Sequence, residues 1–293
     1  MYPELFQIPL PQGETITVSA YRFFGLAAAG YLTAAAWIHL RTYDWKAIQK
    51  ALLIAVMAAA FLAGSRILYV LLYMPEVIKD PQMAVTFQLR NFTLYGGLLL
   101  TAATWWYVGK KGKIPFFSLT DALAPHMGIS LAIMRLGCFL NGCCYGRITH
   151  MPWGIDVPFM SQAHLAQVYH SSGLGALVPK AVHPTQIYEI MAALAASLGA
   201  GVFLKKTPGE GLSTAIFCLL LSAGRLITFF FREFPVASDF SNLIRGPVIY
   251  GLVIAAASIW IWGQTTRKIS PGGSQPPGVF TGRRFKTKLG VRS

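Results

Sequence analysis

Seven long apolar segments, separated by short polar stretches, divide the chain. They are Phe23–Leu40, Ala51–Tyr73, Thr93–Val108, Leu119–Leu140, Ile187–Leu204, Leu212–Phe231 and Pro247–Trp262. About 20 apolar residues are enough for a helix to cross the hydrocarbon core of a bilayer. The pattern therefore predicts an all-α integral membrane protein with seven transmembrane helices. The third segment is short and contains Gly96 and Gly97, which favours a helix that is tilted, broken or closely packed.

The distribution of basic residues predicts how the protein is oriented. Lysine and arginine are concentrated in the first, third and fifth connections and in the C-terminal tail, whereas acidic residues nearly balance them elsewhere. Because cytoplasmic loops are enriched in basic residues, we expect the N-terminus outside and the C-terminus in the cytoplasm. Residues 1–264 are predicted to form the membrane domain, with a long outer connection at 148–186. Residues 265–293 are expected to form a disordered basic tail.

Composition agrees with a membrane protein. The chain is 54% hydrophobic and only 12% charged, with a mean hydropathy of +0.51, which excludes an ordinary soluble domain. The formal net charge is +14. Anionic lipids of the inner leaflet attract basic segments of this kind, so the charge does not require a nucleic-acid partner.

The segment Met134–Arg147 has the most unusual chemistry. Arg135 lies inside an apolar run that ends at Asn141 and Gly142 and is followed by two adjacent cysteines. A charge at membrane depth is costly and marks a ligand, a water-filled cavity or an internal partner. The alternatives are an arginine that extends to the interface or pairs with a distant carboxylate. We favour an anion site near one membrane face.

Two further arginines, Arg66 and Arg225, also lie inside apolar segments. Three guanidinium groups with few carboxylates around them point to one shared anionic ligand, because arginine matches phosphate with two parallel hydrogen bonds. Glu189 is placed to balance part of this charge. Together with Gln186, it lies at the start of the fifth predicted helix, where helix capping and a role in a site are equally consistent with the sequence.

The cysteines and histidines do not follow a metal-binding pattern. Neither a His-x-x-x-His nor a Cys-x-x-Cys spacing is present, so we expect no metal and no other cofactor. Near an oxidising outer face, Cys138 is compatible with a disulfide to Cys143 or Cys144. A reactive thiol is the alternative. Cys218 lies in a helix and is interpreted as an apolar filler.

Several motifs resemble the phosphatidylglycerol–prolipoprotein diacylglyceryl transferase family. In chain order they are Arg22–Leu26, Gly64–Val70, Arg135–Gly142 with Tyr145–Arg147, His183–Glu189, and Gly224–Arg225 followed by a Phe/Arg run. A seven-helix layout with the N-terminus outside is also what this family implies. The resemblance covers nearly the whole chain.

The resemblance implies a lipid transfer in the bacterial inner membrane. The family moves the diacylglyceryl group of phosphatidylglycerol to the lipobox cysteine of a prolipoprotein, which forms a thioether and releases glycerol phosphate. The implied partners are therefore phosphatidylglycerol, the signal peptides of prolipoproteins and other membrane lipids. The implied catalytic residues are Arg135 and Arg225. Tyr95 and His183 are further candidates for catalysis. The implied substrate-binding residues are Arg135, Arg66, Asn141, Gly142, Gly146, Tyr188 and Glu189.

The chain departs from the family pattern at five positions. Tyr95 stands where the family commonly has a histidine, and a phenol with an ordinary pKa of about 10 is a poor base at neutral pH. Tyr95 is therefore expected to orient the substrate, with His183 as a substitute base. The other departures are Phe24 for tyrosine, Cys138 for asparagine, and Cys143 and Phe229 for acidic residues.

Two alternatives to the transferase remain open on the sequence. One is a diverged paralogue that carries out another lipid transfer, with Cys143 or Cys144 as its nucleophile. The other is a non-enzymatic protein that binds or transports lipid, for which intramembrane arginines would also serve. The inverted repeats typical of many transporters are not apparent in the sequence.

Overall fold

The structure is a computed structural model that describes residues 4–9, 15–82, 93–112, 114–170, 178–207, 210–233 and 240–269. A hairpin of β1 (Glu4–Pro9) and β2 (Thr15–Ser19), which the sequence analysis did not predict, precedes the helices. The helices are α1 (Ala20–Leu40), α2 (Ala47–Leu72), α3 (Met74–Lys79), α4 (Leu94–Gly112), α5 (Phe116–Asn141), α6 (Gln162–His170), α7 (Thr185–Lys206), α8 (Leu212–Phe231) and α9 (Phe240–Ile269). The tail predicted at 265–293 lies outside the described residues from position 270 onward.

The prediction of a helical membrane protein is confirmed for six spans. Within the described residues, the helices long and apolar enough to cross a membrane are Ala20–Leu40, Ala47–Leu72, Phe116–Asn141, Thr185–Lys206, Leu212–Phe231 and Gly246–Thr266. The third predicted segment corresponds to α4, which is not among the six. Its last turn contains Lys110 and Lys111, which shortens its apolar part.

The glycines of α4 pack directly on α2. A Cβ atom added to Gly64 would collide with the backbone carbonyl of Gly96, and a Cβ on Gly96 would collide with that of Gly64. Small residues at such a crossing let two backbones touch. Of the three geometries that the sequence favours for this helix, close packing is therefore the one observed.

Helix α5 lies at the centre of the bundle and packs against α1, α7 and α8. Pro125 cannot donate a backbone hydrogen bond to the carbonyl of Asp121. The hydroxyl of Ser213 lies 3.2 Å from that carbonyl and 2.9 Å from the carbonyl of Ala200, so its single proton serves both acceptors. The fully buried Asp121 carboxylate accepts hydrogen bonds from the N–H groups of Gly211 (2.8 Å) and Thr214 (2.9 Å), which anchors the start of α8 on α5.

Candidate functional site

The guanidinium group of Arg135 is held inside the bundle by a carboxylate. Arg135 is 8% exposed, and its Nε atom pairs with Oε2 of Glu189 on α7. The other carboxylate oxygen of Glu189 lies 3.7 Å from Nη1 of Arg232. Pairing with a carboxylate distant in sequence, one of the alternatives that the sequence leaves open for Arg135, is therefore observed. Glu189 does balance charge at this site, as the sequence analysis suggests, because the fold brings α7 alongside α5.

A cavity of about 340 Å³ opens next to this ion pair. Its polar lining includes Glu189, Arg225, Arg232 and Tyr95, together with apolar side chains from α2, α4, α8 and α9. Tyr95 is 39% exposed and interacts with Tyr250 of α9 and with the charge of Arg225. The cavity therefore combines two guanidinium groups, one carboxylate and phenolic hydroxyls with an apolar wall.

Arg66 does not share this lining. Its guanidinium carbon lies 5.6 Å from the centroid of the Tyr69 ring. Among the residues that the structure describes, those that line the cavity do not include Arg66. The structure thus brings Arg135 and Arg225 to one region through Glu189, but it does not bring Arg66 to the same wall. Of the three arginines that were expected to converge, only Arg225 lines the cavity, and Arg135 is connected to it through Glu189.

Three thiols meet beside Arg135. Helix α5 ends at Asn141, and Gly142 follows in a left-handed conformation with φ of 72°. The sulfur atoms of Cys138, Cys143 and Cys144 all lie within 4.8 Å of one another. Nη1 of Arg135 lies 3.6 Å from the Cys138 sulfur and 3.7 Å from the Cys144 sulfur. We call these three residues the thiol cluster.

The first residues of α7 fix the backbone of the cysteine loop. The Thr185 hydroxyl donates to the carbonyl of Cys144, and the Gln186 side-chain amide donates to the carbonyl of Cys143, each at 2.7 Å. The residue before the helix, Pro184, has no side-chain cap. The hydrogen bonds of Thr185 and Gln186 therefore hold the loop rather than cap the helix. The two possibilities that the sequence left equal are separated by this contact.

Hydrogen bonds, burial and nearby charges shift the pKa values of two groups outside the spans. Hydrogen bonds from Cys138 and Cys143, together with the charges of Arg232 and Arg135, hold the pKa of the Cys144 thiol below its ordinary value. Burial raises the pKa of Tyr145, and the charges of Glu233 and Cys144 raise it further. The site thus favours a thiolate beside the arginines.

Three of the remaining predicted residues, His183, Tyr188 and Gly146, lie in one small group of contacts. Nδ1 of His183 lies 3.1 Å from the Tyr188 hydroxyl, which accepts a hydrogen bond from the Trp153 indole at 2.8 Å. Gly146 donates its N–H to the His183 carbonyl at 2.9 Å. A side chain on Gly146 would meet the Phe231 carbonyl at 2.5 Å, so only glycine fits there. His183 is not among the residues that line the cavity.

Sequence reasoning did not single out Arg232, Tyr250 or the thiol cluster as parts of one site. Arg232 contributes to the sequence analysis only through the charge balance and as the arginine of the Phe/Arg run. Tyr250 resembles an ordinary aromatic residue in an apolar helix. The side chain of Asn141 hydrogen-bonds to Cys143, and nothing in the sequence indicates this contact. The sequence is compatible with a disulfide from Cys138 to Cys143 or Cys144, but it does not indicate that all three sulfurs meet.

These features define a multi-pass membrane protein with a charged, partly apolar cavity among its helices. The family model for prolipoprotein diacylglyceryl transferase matches residues 12–264. The chain belongs to this family, and the resemblance found in the sequence is confirmed.

Similar proteins named phosphatidylglycerol–prolipoprotein diacylglyceryl transferase occur in several bacteria. The protein of Pseudoalteromonas atlantica is 26% identical over 283 residues, which cover 90% of this chain and 94% of the relative. The protein of Photobacterium profundum is 30% identical over 73% of this chain and 77% of the relative. A protein of Legionella pneumophila is 29% identical over 75% and 80%, respectively.

Proposed function

We propose that this protein transfers the diacylglyceryl group of phosphatidylglycerol to the lipobox cysteine of prolipoproteins in the bacterial inner membrane. A thioether forms, and glycerol phosphate leaves. The family match over residues 12–264 supports the reaction class, and the names of the relatives identify the lipid and the protein substrate for those proteins. The observation that carries the proposal is the cavity that Arg225 and Arg232 line together.

The cavity suits a phospholipid headgroup beside apolar chains. Arg225 and Arg232 supply fixed positive charge where the bond to the phosphate oxygen breaks, and such charge lowers the barrier most in a site that excludes water. Glu189 neutralises only part of this charge. The apolar wall, which includes Leu72, Leu94 and Ile249, accommodates the hydrocarbon next to the headgroup.

Arg135 has a supporting role in this arrangement. Its Nε atom is paired with Glu189, and its Nη1 atom faces two sulfurs. Few of its donors remain for a phosphate, so we assign direct contact with the headgroup to Arg225 and Arg232. Arg135 links the cavity to the thiol cluster.

The proposed membrane arrangement has seven spans. Helix α4 is the additional span, because it contacts α2 at the Gly64–Gly96 crossing and occupies the third apolar segment. The alternation of basic connections supports an outer N-terminus and outer connection 148–186, with the basic tail in the cytoplasm.

The test is a cell depleted of its own transferase and supplied with this chain. We expect thioether-linked diacylglycerol on a reporter prolipoprotein, detected by mass spectrometry. Arg225→Ala should strongly reduce the product, whereas Arg41→Ala, which changes an exposed arginine at the end of α1, should retain it. Phosphatidylglycerol binding by the purified protein without any lipidated reporter would favour a lipid-binding protein instead.

A further inference from the structure

The thiol cluster stands apart in the chain. Among the described residues, it is the one group in which at least three histidine, cysteine or carboxylate side chains converge as a metal site requires. Its three sulfurs lie within 4.8 Å of one another, a spacing that a single ion can bridge with small side-chain movements.

The backbone is shaped to make the sulfurs converge. Gly142 and then Cys144 adopt left-handed conformations, with φ of 72° and 62°. A residue other than glycine seldom takes this conformation unless its surroundings impose it. The Thr185 and Gln186 side chains fix the carbonyls of the two adjacent cysteines. Strain held in this way at Cys144 is typical of a functional loop.

The charges around the thiol cluster match a divalent ion. Within the trio of Arg135, Arg232 and Glu189, two positive charges share one negative charge. Three thiolates and a divalent ion carry one negative charge in total, so the group becomes neutral.

We propose that Cys138, Cys143 and Cys144 bind one zinc ion and leave its fourth coordination position open for the acceptor cysteine of the prolipoprotein. Zinc prefers thiolate ligands and four-coordinate geometry, and sites that act on substrates keep one position open. The identity of the fourth ligand rests on the proposed function. The site itself rests only on the three thiols and the charges beside them.

Such a site would promote loss of the proton from the acceptor thiol, a step for which the phenol of Tyr95 is a poor base. A thiol that coordinates zinc is deprotonated, and its proton passes to water. The resulting sulfur attacks the glycerol carbon that carries the phosphate. A carbon–sulfur bond forms as the carbon–oxygen bond breaks, and the electron pair leaves on the glycerol phosphate, beside Arg225 and Arg232. The neutral thioether is a weaker ligand than the thiolate and dissociates.

The first test measures metal content in the detergent-purified full-length protein after loading with Zn²⁺ and gel filtration. We expect about one zinc ion per chain by elemental mass spectrometry. Cys138→Ser, Cys143→Ser and Cys144→Ser should each lower zinc occupancy at least tenfold. Cys218→Ser, which replaces a thiol packed elsewhere beside α5 and α7, should leave it unchanged. Occupancy that is equal in all four variants would overturn the proposal.

The second test uses the unmodified chain and therefore does not depend on the folding of variants. Protein loaded with Co²⁺ should show the sulfur-to-cobalt charge-transfer absorption of thiolate ligation. A peptide with the acceptor cysteine should intensify this band, and the matching serine peptide should not. Absence of the band would overturn the metal site, and so would a disulfide within the thiol cluster of freshly purified protein. A band that responds equally to both peptides would overturn the open position.

Failure of this inference is distinguishable from failure of the proposed function. Lipid transfer by protein that binds no metal would leave the transferase standing and remove the zinc site. Stoichiometric zinc with the expected peptide response, but no transfer from phosphatidylglycerol, would keep the site and direct the search to another lipid donor.

Discussion

The carboxylate of Glu189 pairs with the guanidinium group of Arg135 between α7 and α5. The same carboxylate reaches Arg232 at 3.7 Å, and the same guanidinium group lies against two cysteine sulfurs. One ion pair therefore joins the charged cavity to the thiol cluster. A change at Glu189 or Arg135 is therefore expected to affect both the cavity and the thiol cluster.

Glu189→Gln should destabilise the protein strongly. It leaves the buried charge of Arg135 without its carboxylate, and breaking one side of a buried ion pair costs about 3 kcal/mol or more. The double variant Arg135→Met/Glu189→Leu should recover part of this loss, because it removes both charges. Thermal unfolding in detergent measures the effect, with Asp44→Asn at an exposed position as the control. Equal stability of Glu189→Gln and the control would contradict the internal role of the pair.

Arg225→Ala and Arg232→Ala should each lower the rate of diacylglyceryl transfer by about 100-fold, the usual effect of removing one group that stabilises developing charge. The measurement is transfer from labelled phosphatidylglycerol to an acceptor peptide in mixed micelles. Arg41→Ala serves as the control. Transfer at the normal rate in Arg232→Ala would remove that residue from the headgroup site.

Arg135→Lys should impair transfer strongly, although the substitution keeps the positive charge. A lysine is a point donor and cannot contact Glu189 and the two sulfurs with one planar group. We expect the variant to fold, to bind phosphatidylglycerol and to lose most of its turnover. Full turnover would show that positive charge alone is sufficient at this position.

Tyr95→Phe should lower turnover about tenfold while binding of the lipid stays largely intact, since the ring remains and one hydroxyl contact of about 1.4 kcal/mol is lost. Tyr95→His should retain or raise activity, because imidazole has an ordinary pKa of about 6.5. The double variant Cys143→Ser/Cys144→Ser should abolish transfer. An unaffected double variant, combined with an inactive Tyr95→Phe, would assign proton removal to the tyrosine instead.

The proposed orientation can be tested with an impermeant thiol reagent applied to intact spheroplasts. Met151→Cys, at an exposed position of the outer connection, should be labelled above the level of the parent chain. Thr266→Cys, near the end of α9, should be labelled only after the membrane is permeabilised. The opposite pattern would reverse the topology and move the thiol cluster to the cytoplasmic face.

The elements that could be predicted from sequence are those set by local periodicity. The apolar segments give the helices, and the Gly96–Gly97 pair signals the close contact between α4 and α2. The arginine inside α5 indicates a site, because its charge is incompatible with lipid.

What could not be predicted depends on partners distant in sequence or on rare backbone conformations. Glu189 meets Arg135 only because α7 packs on α5. Thr185 and Gln186 resemble capping residues until the cysteine loop is seen beside them. The left-handed conformation of Cys144 has no signal in the sequence, and yet the spacing of the thiols depends on it.

The cavity is walled by Tyr95 of α4 and Tyr250 of α9, helices whose other surfaces carry exposed apolar side chains such as Leu99 and Leu252. A phospholipid would therefore reach the arginines sideways, from within the leaflet, rather than from water. Its supply is then two-dimensional. For such an enzyme, saturation follows the mole fraction of the lipid in the bilayer, so diluting phosphatidylglycerol with a neutral lipid should slow the reaction even when the total amount is unchanged.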